Sequence, residues 1–198
     1  MLLPPFFLKP GAKYLYEHMK AIANAIKIPI MAQYAPEQTG VAIQPKTFCK
    51  LEKECPNMLY YKIECKPAGP YITNLMNLTG DKIKIFVGNA GFQLIECMDR
   101  GAIGAMPGCS MYDVYLDIYS NYVNGNREKA LNLHNKILPM LNYIRQNVEQ
   151  IILFEKRILK RRGIISADYC RKPSYDTDEY FDRLFDDFYR EMAEEYDW

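Results

Sequence analysis

The six cysteines include no CxxC pair, and the chain has neither an HxxxH run nor a paired acidic cluster. Those absences remove the usual ligand patterns of a metal site. The only two histidines, His18 and His134, fall on helical stretches away from any strand end, so both read as surface or packing residues. Gly101-Ala-Ile-Gly104 and Gly88-Asn-Ala-Gly91 lack the GxGxxG spacing of a dinucleotide loop. No apolar run approaches the roughly 20 residues of a membrane span. Met1-Leu-Leu runs at once into Pro4-Pro5, unlike a signal peptide. Charge of one sign is not in excess: the net value of +1 argues against a polyanionic partner. The expectation is a soluble, cytoplasmic protein with free thiols and no membrane or nucleic-acid partner.

What is present is an alternation. Leu2–Leu8 reads as a strand, Tyr14–Ile26 as a helix with Leu15, Met19, Ile22 and Ile26 on one face, and Ile28–Gln33 as a buried strand. A helix starts at Gln44-Pro45 and runs through Lys53, with Pro in its first turn. Met58–Ile63 is a strand, 71–78 a helix, Lys82–Val87 a strand, Gly91–Arg100 a helix and Ala102–Met106 a fifth strand. Five strands separated by helices indicate βα units and a parallel sheet. Beyond Gly108 only helices are expected, over 112–122, 127–145, 148–161 and 176–195. The domains are thus 1–125, α/β, and 126–198, a C-terminal helical bundle. A closed (β/α)8 barrel needs about 250 residues, so the sheet is open or the chain is part of a barrel.

Lys62 stands out because it sits at the carboxyl end of the apolar Met58–Ile63 run. Burial there disfavours the ammonium, and a neutral lysine is the nucleophile that condenses with a carbonyl to form a Schiff base. The competing reading is an edge-strand lysine that snorkels to water. Alternation puts Tyr61 on the opposite face from Lys62 and Glu64 on the same one. Glu64 either sets the lysine's charge state, binds a hydroxyl, or is a solvated loop carboxylate. In the tail, Lys156, Arg157, Lys160, Arg161 and Arg162 form a basic cluster whose two readings are a nucleic-acid or phosphate site and, the favoured one, the solvated face of an amphipathic helix. The acidic stretch Asp176–Trp198, with its aromatic stripe, is expected to answer that basic block and to dock on the body or a neighbouring subunit.

The chain resembles the C-terminal two-thirds of the dihydrodipicolinate synthase and N-acetylneuraminate lyase family, pyruvate-type class I aldolases on a TIM barrel. The likeness is carried in order by Pro4-Pro5-Phe6-Phe7-Leu8-Lys9-Pro10 with His18, Pro29–Pro36 with Thr39-Gly40, Tyr60-Tyr61-Lys62, Val87–Gly91, Arg100–Gly104, Arg161-Arg162-Gly163 and Arg171-Lys172-Pro173. It implies a partial barrel made of barrel strands 4–8. It also implies a Schiff-base-forming lyase or aldolase acting on a 2-oxo acid, pyruvate or a sugar-derived keto acid. Lys62 would hold the substrate as a covalent imine with no external cofactor, and the protein would be a homo-oligomer.

Three family positions differ. Gln33 stands where the synthases have a relay tyrosine, Gln38 where they have a carboxylate-binding arginine, and Phe7 where they have a second tyrosine. The expectation is therefore a branch of the family that is not a true dihydrodipicolinate synthase. Gln33 is the other catalytic candidate, as a hydrogen-bond donor to substrate or a packing residue. Glu64, Gly88, Asn89, Gly104 and Thr39 are the substrate-binding candidates; the two glycines allow close backbone approach or serve ordinary turns. The family's first three strands have no counterpart in the sequence. The alternative expectation is thus a truncated, inactive remnant, or a partner subunit that associates through open sheet edges.

Overall fold

The computed structural model describes residues 1–198, which divide into two compact units, Met1–Met106 and Pro107–Trp198. In the first, four parallel strands lie in the order β1 (Ile30–Tyr34), β2 (Met58–Ile63), β3 (Lys84–Val87) and β4 (Gly104–Ala105). Helix α1 (Ala12–Ala25) precedes β1. A single-turn α2 (Pro36–Thr39) and α3 (Pro45–Glu54) link β1 to β2. Helices α4 (Ala68–Thr79) and α5 (Leu94–Asp99) make the next two crossovers. This is the parallel α/β arrangement that the alternation implies. Gln33, Lys62, Phe86 and Gly104 are register partners in one row across all four strands.

The expected first strand over Leu2–Leu8 is not formed, so the sheet has four strands rather than five. Only Leu2 pairs, as a parallel bridge to Ala32. Its N–H donates to the Met31 carbonyl (2.7 Å) and its carbonyl accepts from Gln33 N–H (2.8 Å). The ladder stops because Pro4 and Pro5 carry no N–H to continue it. Phe6, Phe7 and Leu8 are exposed, and Lys9 turns the chain at φ +44°.

The sheet's apolar residues alternate with the candidate site. Tyr61, Ile63, Ile85 and Val87 are buried together with Phe48 and Leu51 of α3, Ile72 and Leu75 of α4, and Leu15 and Met19 of α1. Phe48 meets Tyr61 edge-on at 4.9 Å between centroids. Burial of side chains this size contributes about 1.5–3 kcal/mol each, enough to hold the crossovers against the sheet and fix which strand ends line up.

The second unit comprises α6 (Tyr112–Val123), α7 (Arg127–Ile144), α8 (Val148–Arg161) and α9 (Glu179–Tyr196). Helix α6 packs on α7 and so falls with the later helices, ahead of the boundary expected at residue 125. Asn147 caps α8 by accepting from Gln150 N–H, and Asp178 caps α9 by accepting from Phe181 N–H, each at 2.8 Å. Phe181 and Phe185 of α9 pack against Phe154 of α8. The basic block of α8 meets acids, as its composition suggested: Arg157 pairs with Asp182 (2.6 Å), Lys160 with Asp168 (2.8 Å) and Arg161 with Asp186. No helix is long and apolar enough to cross a membrane.

Candidate active site

Lys62 is on β2, flanked by β1 and β3, so it is not an edge-strand residue. Its side chain is 14% exposed and its Nζ lies 3.3 Å from Glu64 Oε1. Glu64 follows β2 directly. Its N–H donates to the Tyr34 carbonyl at 2.8 Å, extending the parallel ladder past the strand and keeping Glu64 on the Lys62 face. The residue is 8% exposed, which excludes the solvated loop carboxylate. Its other oxygen, Oε2, accepts from Gln33 Nε2 of β1. Burying a carboxylate is costly unless it is paired and hydrogen-bonded, and here an ammonium, a carboxamide and a main-chain N–H meet that requirement.

The loop after β3 closes around the same carboxylate. Asn89 donates from Nδ2 to the Glu64 carbonyl (2.7 Å) and from its backbone N–H to Oε1 (3.3 Å). Asn89, Ala90 and Gly91 are all left-handed, with φ of +48°, +54° and +69°. That conformation costs an alanine roughly 1–2 kcal/mol, and such strain accumulates where geometry has to be held. At Gly88 a Cβ would fall 1.8 Å from Glu64 Cγ. The glycine is there because the Glu64 side chain occupies the space a larger residue would need.

The structure thus brings Lys62, Gln33, Glu64, Gly88 and Asn89 into one cluster, with Gly104 in the same strand row two strands away. Thr39 is elsewhere engaged: its hydroxyl donates to the Ala35 carbonyl (2.8 Å) and accepts from Val41 N–H (3.3 Å). Of the histidines, His18 is exposed on α1 and His134 is buried in α7.

Tyr34, Tyr61 and Tyr71 face the core rather than the cluster, whereas Tyr60 shares the Lys62 face of β2 and lies beside Phe86, 6.4 Å between centroids. Tyr34 stacks on Tyr71 at 4.6 Å, and Tyr61 is fully buried. Burial pushes the phenols of Tyr34, Tyr61 and Tyr71 above their ordinary range. The ionisable group in contact with Lys62 Nζ is the Glu64 carboxylate. The motif Lys62-x-Glu64 shows which face the carboxylate shares. Its enclosure by Gln33 and Asn89 leaves no mark in the local sequence.

Four parallel strands joined by helices, with a largely buried lysine at one strand's carboxyl end, define an α/β protein. The particular family follows from comparison. The Dihydrodipicolinate synthetase family matches residues 1–185, and the chain belongs to that family. It is 29% identical over 178 residues, 87% of this chain and 56% of the relative, to an L-2-keto-3-deoxyarabonate dehydratase of Azospirillum brasilense. It is 27% identical to a 4-hydroxy-tetrahydrodipicolinate synthase of Bacillus subtilis, over 71% of this chain and 49% of that protein. A dihydrodipicolinate synthase structure from Rhodopseudomonas palustris superposes with a TM-score of 0.84 at 27% identity, covering 94% of this chain and 63% of that one. The chain spans about half the length of the curated relatives it matches.

Proposed function

We propose that this chain carries the imine-forming half of a class I, pyruvate-type lyase that acts on a 2-oxo acid, on a partial (β/α) barrel. Glu64 takes a proton from the Lys62 ammonium, the freed Nζ attacks the keto carbon, and Glu64 returns that proton to the carbinolamine hydroxyl, which leaves as water to give a protonated imine on the lysine. Glu64 takes a proton from the carbon next to the imine, and the C–H electron pair becomes the enamine double bond while the imine nitrogen accepts electrons. In a 2-keto-3-deoxy acid the enamine then expels the hydroxyl one carbon further on. Glu64 returns its proton to that oxygen, so one water leaves in all. Hydrolysis of the imine frees the product and the amine. Gln33 holds the carboxylate, and Gly88, Asn89 and Gly104 border the space the substrate enters.

The observation that carries this reading is the 3.3 Å Lys62–Glu64 pair, shielded at the end of a strand that is flanked on both sides. The dehydratase activity named for the Azospirillum relative supports the choice of a 2-keto-3-deoxy sugar acid over the synthase reaction. So does a glutamine at position 33, since the chain keeps the lysine while lacking the synthases' tyrosine. The test is reduction of the chain with borohydride in the presence of pyruvate, followed by peptide mass mapping. A pyruvate-derived adduct on Lys62, absent from a Lys62→Met variant, is the expected result. An unmodified Lys62 would favour the alternative, a non-catalytic remnant or partner subunit.

A further inference from the structure

We infer that Asn89 is a positioning residue for the Glu64 carboxylate, setting the proton-transfer step rather than imine formation; this rests on the Schiff-base reading above. Glu64 is gripped from two sides. Gln33 reaches Oε2 from β1, while Asn89 reaches both the carbonyl and Oε1 from the loop after β3. Lys62 needs only its own strand to be in place, whereas the direction of the Glu64 carboxylate depends on these two neighbours. Asn89 spends its amide on the protein: the Nδ2 that a polar substrate would meet donates to the Glu64 carbonyl instead.

The backbone is arranged for this contact. Gly91 N–H donates to the Gly88 carbonyl (2.9 Å) and Phe92 N–H to the Asn89 carbonyl (3.2 Å), so the turn is closed by its own bonds. Three consecutive left-handed residues aim the Asn89 N–H at Oε1. Asparagine is among the few residues with a side chain that enters this conformation readily. The same residue thus satisfies the backbone and supplies the second donor. A carboxylate held by several fixed donors does not have to be collected from other rotamers before it accepts a proton.

The experiment uses the full chain, its Asn89→Ala and Asn89→Gly variants, and pyruvate in heavy water. Borohydride trapping reads the imine on Lys62. Loss of the pyruvate methyl proton signal reads transfer of that proton to Glu64 and its replacement by deuterium from solvent. Asn89→Ala is expected to trap like the parent and to exchange about tenfold more slowly, because it loses the Nδ2 bond to the Glu64 carbonyl and disfavours the left-handed backbone that aims the N–H at Oε1. Asn89→Gly keeps the left-handed backbone and its N–H, so its exchange falls less; it also decides the matter if the alanine variant melts early. Parent-like exchange in both variants overturns the inference, as does a parallel loss of trapping and exchange. No adduct in the parent chain would refute the Schiff-base reading and this inference with it, an outcome distinct from either of those.

Discussion

Gly88→Ala is the sharpest steric probe of the cluster. Gly88 has φ −93°, an angle any residue adopts, so the substitution adds a methyl group without forcing the backbone. That methyl carbon would stand 1.8 Å from Glu64 Cγ and 2.4 Å from Cδ. Ordinary contact begins at 3.4 Å, so the glutamate has to retreat by about 1.6 Å. It cannot do so and keep both the Gln33 bond and the 3.3 Å approach to Lys62. Misplacing a reacting group by about 1 Å costs roughly a hundredfold in rate, so exchange of pyruvate methyl protons should drop by about that factor. Stability should fall by about 1–3 kcal/mol, the usual range for overpacking. Exchange followed by proton NMR, with urea unfolding in parallel, measures both. A folded Gly88→Ala protein that exchanges at the parent rate would refute the assignment of Glu64 as proton carrier.

Three further outcomes are expected. Glu64→Gln should abolish methyl exchange while the borohydride adduct on Lys62 still forms, because the amine remains and can give its proton to solvent, whereas the acceptor for the carbon proton is lost; equal exchange in the two proteins would argue against the mechanism. Phe48→Ala should destabilise the chain by about 3–5 kcal/mol in urea melts, since the ring is fully buried between Tyr34 and Tyr61. The hydrogen bond from the Lys160 ammonium holds the Asp168 carboxyl below the usual carboxylate range. Its contribution is therefore complete above that range and lost as pH falls through the lowered value. Exposure screens the pair to well under about 1 kcal/mol, so Lys160→Met should slightly flatten the acid side of a melting-temperature profile and leave neutral pH nearly unchanged.

Local pattern was sufficient for much of the fold. The run Met58–Ile63 and the amphipathic stretch Val148–Arg161 form the strand and the helix at those same bounds. Both carry an unbroken periodic signal bounded by a stop: Pro56-Asn57 before the strand, Asn147 before the helix. A period of two was likewise enough to place Tyr61 in the core and Glu64 beside Lys62. The same apolar pattern misled at Leu2–Leu8, where composition favours a strand but two prolines withhold the donors a ladder needs.

The sequence by itself determined the parallel α/β plan and the lysine at a strand end, because apolar spacing and strand-end position are properties of neighbouring residues. Only the tertiary structure decided the state of Glu64. Its partners come from positions 33 and 89, on the strand before and the loop after the next strand, and they converge only when β1, β2 and β3 align in register. Burial of a carboxylate depends on donors that arrive from far along the chain, so no window around residue 64 contains the information.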